Sequence, residues 1–139
     1  VTHVSEYDPD FNPIGIQAET SLGLAGPAPI RWFHVPEINR VPPQPPEFQN
    51  PDWYNRKGRV NNWDDPEQIL EGDFPGGLKD IKTSHPDVRD ALVNVFSTWI
   101  EVADFDAFRI DTIKHVEKEF WEDFCPRIRT FAKKKGKKK

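Results

Sequence analysis

Phe105-Asp106-Ala107-Phe108-Arg109-Ile110-Asp111-Thr112-Ile113-Lys114-His115 is the stretch on which the fold turns. The apolar content and brevity of Phe105 to Asp111 suit a buried strand that ends where Asp111 gives way to a loop. Residues two apart in a strand point to the same face, so Arg109 and Asp111 can lie side by side. An arginine close to a carboxylate favours its ionised form. A charged aspartate suits a nucleophile or electrostatic stabiliser and suits a general acid poorly. In barrels and open α/β sheets, sites are built at the carboxyl ends of strands. Lys114 and His115 follow within one short loop and can hydrogen-bond a polyhydroxylated substrate. The spacing serves equally well a structural ion pair flanking a strand, with Lys-His on the surface, because such pairs also perturb charge states. Spacing alone leaves both readings open.

Upstream, Ser84-His85-Pro86-Asp87 reads as a helix start, with a cap residue, a proline near the first helical position and an acid three after the serine. Val88, Leu92, Val95, Phe96 and Trp99 then form one apolar helical face running to about Val102. Downstream, Val116, Phe120, Phe124, Ile128 and Phe131 predict a second helix, which Pro126 breaks or kinks. Helix–strand–helix is a slice of alternating α/β architecture. The N-terminal half differs. Six prolines crowd Val35 to Asp52, which predicts an extended, partly polyproline connector and neither helix nor central strand. Val1 to His34 shows no sustained period. The aromatics there, with Trp53, Tyr54 and Trp63, argue for packing against something. The expected division is therefore a loop-rich segment over 1–83 and a helix–strand–helix piece over 84–139.

The whole chain has 139 residues, too short for a complete (β/α)₈ barrel, which needs at least ~200. Six of its 19 basic residues sit in the last seven positions; the rest balance 13 bases against 23 acids, a net charge of −10. A nucleic-acid-binding body needs a basic face, so that class is not expected, and the lysine tail reads as a solvated terminus. No apolar run approaches the ~18 residues of a membrane span. The single cysteine, Cys125, excludes an intrachain disulfide and reads as a small buried hydrophobe. Absence of any methionine suggests a processed chain or a piece of a longer one.

Phe108-Arg109-Ile110-Asp111-Thr112-Ile113-Lys114-His115 resembles the signature around the fourth barrel strand of the α-amylase family of glycoside hydrolases (family 13). That pattern reads G-F-R-x-D-x-x-K-H. The sequence matches at Phe108, Arg109, Asp111, Lys114 and His115 and departs at Ala107, where the family usually has Gly. Gly77-Leu78-Lys79-Asp80-Ile81-Lys82 resembles the L-P-D-L-N motif near the end of the family's inserted domain B, with Lys79 and Lys82 departing from its Pro and Asn. Asn61-Asn62-Trp63-Asp64-Asp65 also looks like domain B. The resemblance implies a partial (β/α)₈ TIM barrel, helix–strand 4–helix, preceded by an irregular inserted domain B. It implies that Asp111 is the catalytic nucleophile, kept ionised and oriented by Arg109, and that Lys114 and His115 line the aglycone-side subsites of an α-glucan or oligosaccharide. It implies calcium bound by Asp80 and the backbone carbonyl of His115. Calcium takes 6–8 oxygen ligands, and only these two are identifiable; a surface or capping role serves Asp80 equally well. An extracellular or periplasmic location would follow from the same resemblance.

Retaining hydrolysis needs a second carboxyl group, which in this family is a Glu at the end of the following strand. Glu117, Glu119 and Glu122 fall on the helix after Asp111 and are poor substitutes. The family's other catalytic motifs have no counterpart either; His3 with Asn12 does not reproduce the one after the third strand. The chain is thus expected to be an internal slice of an α-amylase-type catalytic domain, with the remainder of that domain as its natural partner and no hydrolysis alone. The other function class is a non-catalytic carbohydrate-binding or interaction protein that retains the strand-4 motif. Trp53, Tyr54 and Trp63 stack on sugar rings in the first reading and pack a subdomain in the second.

Overall fold

The computed structural model describes residues 44–55, 57, 60, 62–74 and 79–136. The expectations placed on Val1 to His34, on the first prolines of the connector, on Asn61, on Gly77-Leu78 and on the last three lysines lie outside these residues. Two compact units divide the chain, Val1–Lys82 and Thr83–Lys139.

In the first unit, α1 spans Pro66–Glu71, and single 3₁₀ turns span Pro46–Gln49 and Pro51–Trp53. These turns replace the extended connector expected at this point. A proline at the first helical position loses nothing by lacking an N–H, since that donor has no partner inside the helix. Helix α1 was not expected, although Asp65-Pro66-Glu67 carries its signal of cap, proline and acid. The Asp65 carboxylate accepts the Glu67 N–H at 3.0 Å. Phe48, Trp53, Tyr54 and Val60 are buried. Phe48 meets Trp53 edge-on at 5.2 Å, and the Tyr54 hydroxyl donates to the Phe48 carbonyl at 2.6 Å. An antiparallel bridge joins Tyr54 to Ile81, flanked by Asn55 N–H to Asp80 carbonyl at 3.1 Å and Lys82 N–H to Trp53 carbonyl at 2.8 Å.

In the second unit, α2 spans Pro86–Ala103 and α3 spans Lys118–Lys134. His85, one residue after the expected cap Ser84, caps α2: its Nδ1 accepts the Asp87 N–H at 3.2 Å. Asp104 ends α2 in the left-handed region at φ 58°. Pro126 lies inside a continuous α3 and does not end it. The packing of Phe124 and Ile128 on either side holds the helix through the lost hydrogen bond. Val93, Phe120 and Phe124 form the centre of the helix pair, with Leu92, Phe96, Val116, Trp121, Cys125 and Ile128 against it. Phe120 stacks on Phe124 at 5.1 Å, and Phe96 meets Phe124 edge-on at 5.1 Å. Burying each such ring contributes about 1.5–3 kcal/mol.

Polar ties join the N-terminal part of α2 to α3 and its cap. Arg89 on α2 donates from Nη2 to Glu117 at 2.9 Å and from Nε to the Thr83 carbonyl at 2.7 Å. Thr83 Oγ1 reaches the other Glu117 oxygen at 2.5 Å. Arg127 on α3 bridges Asp90 at 2.7 Å and Asp123 at 3.1 Å. Those two carboxylates push its guanidinium further above its ordinary range, the Asp90 hydrogen bond first.

The expected buried strand, Phe105 to Asp111, does not form. The segment between α2 and α3 is irregular and mostly exposed, and closes in a 3₁₀ turn at Ile113–His115. A strand exists only through hydrogen bonds to a neighbour. Among the described residues no strand runs beside this one, so its N–H and C=O groups have no ladder partner. The helix–strand–helix order becomes helix–extended segment–helix.

Candidate functional site

Arg109 and Asp111 sit on this extended segment. Extended backbone still alternates its side chains, so the two share a side without a sheet. Arg109 Nε donates to Asp111 Oδ1 at 3.2 Å, with side chains 89% and 75% exposed. Phe108, between α2 and the pair, anchors the segment: its ring meets Phe96 edge-on at 4.8 Å and Phe105 at 5.9 Å. The pattern of the stretch thus puts Phe108 on the helix pair and its charged neighbour Arg109 in solvent.

Immediately after Asp111, Thr112 adopts a left-handed backbone at φ 60°. A β-branched residue rarely takes this conformation, and such strain collects at functional turns. The turn is held by His115 N–H to the Thr112 carbonyl at 2.8 Å and by Thr112 Oγ1 to the Asp111 carbonyl at 2.7 Å. Trp121 Nε1 on α3 donates to the Ile113 carbonyl at 3.3 Å, tying the turn to the helix behind it. Lys114 is exposed and His115 half-buried on this turn. Arg109, Asp111, Lys114 and His115 therefore occupy one short segment, and the first two are in direct contact.

Two carboxylates at the start of α3 are committed elsewhere. Glu117 binds Arg89 and Thr83, and Glu122 pairs with Lys118 at 2.7 Å. Trp53 and Tyr54 are buried, which withdraws their faces from any ligand; Trp63 is exposed and meets Phe74 edge-on at 5.4 Å.

Asp80 belongs to the first unit and lies in a polar network that the sequence reading missed. Its Oδ2 accepts from Asn55 Nδ2 at 2.6 Å, and its N–H donates to Asp73 Oδ1 at 3.0 Å. Lys79 Nζ lies 3.2 Å from Asp73 Oδ2, with side chains 3% and 1% exposed. No group of three His, Cys, Asp or Glu among the described residues is arranged to hold a metal ion. Asp80 offers the hard oxygen that calcium prefers; its described neighbours are the Asn55 amide and the Asp73 carboxylate, which Lys79 pairs on its other oxygen. These described groups alone do not make up the 6–8 oxygens that calcium takes.

A family model for the catalytic domain of α-amylase matches residues 29–135. The chain belongs to the α-amylase family. It is 34% identical over 106 residues to an α-amylase of Streptomyces lividans, covering 73% of this chain and 11% of that protein. A cyclomaltodextrin glucanotransferase of Klebsiella oxytoca is 35% identical over 88 residues, covering 63% of this chain and 13% of that protein. Two solved α-amylase structures are similar at a TM-score of 0.54. The Anoxybacillus enzyme is 34% identical over 60% of this chain and 18% of its own. The Geobacillus thermoleovorans enzyme, solved with acarbose, is 29% identical over 73% of this chain and 20% of its own. This α-amylase-family chain thus spans between a tenth and a fifth of the length of these relatives.

Proposed function

We propose that the chain is the portion of an α-glucan-active retaining glycoside hydrolase or transglycosylase that supplies the nucleophile, Asp111. The observation that carries this reading is the Arg109–Asp111 contact, set directly before a strained turn bearing Lys114 and His115. Family membership adds support, and so do relatives named both as hydrolases and as glucanotransferases.

In the proposed reaction, an Asp111 oxygen attacks the anomeric carbon as the bond to the leaving sugar oxygen breaks. A separate carboxylic acid protonates that oxygen, then acts as base while water or a second sugar displaces Asp111. Arg109 holds the carboxylate by one oxygen, which leaves the other for attack. Lys114, exposed one turn further on, donates hydrogen bonds to hydroxyls of the leaving glucan, and His115 borders the same subsite. Glu117 and Glu122 are engaged in ion pairs, and the acid comes from another part of the catalytic domain. The chain alone is accordingly inactive, and calcium has no part in the steps described.

Asp111→Asn in a catalytic domain containing this sequence tests the reading. The expected result is near-complete loss of turnover on maltooligosaccharides with an unchanged thermal midpoint. Retained turnover defeats the nucleophile assignment. Release of reducing sugar by the purified 139-residue chain defeats the claim that it is inactive alone.

A further inference from the structure

The resemblance places a structural cation at Asp80, yet the network around Asp80 already contains one. Lys79 Nζ lies 3.2 Å from Asp73 Oδ2, and both side chains are almost wholly buried. The other oxygen of the same carboxylate, Oδ1, accepts the Asp80 N–H at 3.0 Å. The Asp73 carbonyl accepts the Val60 N–H at 2.9 Å. Asn55 grips Asp80 twice, from its amide side chain to Oδ2 at 2.6 Å and from its backbone N–H to the carbonyl at 3.1 Å.

Asp73 therefore couples a buried ammonium to the backbone of Asp80. A calcium ion at this point would share the Asp80 carboxylate with the Asn55 donor and stand near a fixed positive charge. It would also find the Asp73 carboxylate already neutralised. The sequence points the same way independently. Lys79 is one of the two positions at which Gly77-Leu78-Lys79-Asp80-Ile81-Lys82 departs from L-P-D-L-N.

We infer that the Lys79 ammonium, paired with Asp73, performs at Asp80 the structural work of a bound cation, so that this part of the chain keeps its shape without calcium. The inference rests on the correspondence of Asp80 with the family's calcium-binding position. It is independent of any role for Asp111.

Amide hydrogen exchange of the full chain, followed by NMR at Val60 and Asp80, tests it. Protection of these two amides should be the same in a calcium chelator and in millimolar calcium chloride. A calcium-dependent rise in that protection, abolished by Asp80→Asn, overturns the inference. Lys79→Met keeps the length of the side chain and removes its charge, stranding a buried carboxylate. Protection should then fall roughly a hundredfold or more. Asp73→Asn combined with Lys79→Met removes both charges at constant shape and should restore most of the protection. If Lys79→Met is too unstable to measure, recovery in the double variant supports the inference, and failure to recover overturns it. Wild-type protection in Lys79→Met also overturns it.

Discussion

Arg109 Nε meets Asp111 Oδ1 at 3.2 Å on a segment that has no strand beside it among the described residues. The pair is formed by two-residue alternation alone and sits in open solvent. Exposed pairs of this kind contribute about 0.2–1 kcal/mol. Arg109→Ala should therefore shift the urea unfolding free energy of the chain by less than about 1 kcal/mol. In a catalytic domain containing the sequence, the same change should sharply lower turnover. Comparable losses of stability and turnover would mean that Arg109 holds the fold rather than the nucleophile.

Glu117 joins the ends of both helices by accepting from Arg89 and Thr83. It is partly buried, and hydrogen bonds to a charged group contribute about 1.5–3 kcal/mol. Glu117→Ala should lower the stability of the helix pair by that amount, and Arg89→Ala on the same background should add little more. A double-mutant cycle in urea measures the coupling; additive losses would show that the contact carries no energy.

Phe124 touches Phe96, Phe120 and Trp121 at the centre of the second unit. Phe124→Ala removes those contacts and leaves a cavity, at a cost of about 3–5 kcal/mol. Helical circular dichroism should be lost at markedly lower temperature. A midpoint close to wild type would mean that the helices repack around the gap.

Burial pushes the Tyr54 hydroxyl up to about 12 from its ordinary value of 10.0. The folded state thus favours the neutral phenol, which donates to the Phe48 carbonyl. Its contribution is fully present below pH 10 and is lost as pH rises from about 10 through about 12. Tyr54→Phe should remove this alkaline sensitivity and cost about 1 kcal/mol at neutral pH. Stability measured against pH for both proteins decides it; identical alkaline slopes would defeat the assignment.

Trp99, Val102, Phe105, Ile110 and Ile113 are exposed along the end of α2 and the segment that follows. Trp99 stacks on Phe105 at 5.9 Å. Adjacent apolar side chains in solvent, next to backbone without ladder partners, favour association. Sedimentation of the isolated chain should depend on concentration, and Val102→Lys should weaken that dependence. A monomer at all concentrations would count against it.

Helices α2 and α3 were legible because their information is local. A 3.6-residue recurrence of apolar residues marks the buried stripe, and Ser84-His85-Pro86-Asp87 marks the entry to within one residue, the cap being His85 and not Ser84. The Arg109–Asp111 contact was legible for the same reason. The strand was not, because its apolar content says only that the segment can be buried. The 3₁₀ turns at Pro46 and Pro51 and the uninterrupted α3 through Pro126 escaped a reading that treated these prolines as breakers, although it took Pro86 as a helix start.

The order of residues alone therefore placed the helix pair and its aromatic centre, and the charged pair set before a turn. These depend on periods and spacings of a few residues. Tertiary structure decided that Phe105 to Asp111 lies extended and exposed, since a strand's hydrogen bonds come from another segment. It also decided that Lys79 is buried against Asp73, because an ion pair acquires such strength only from the fold that excludes water around it.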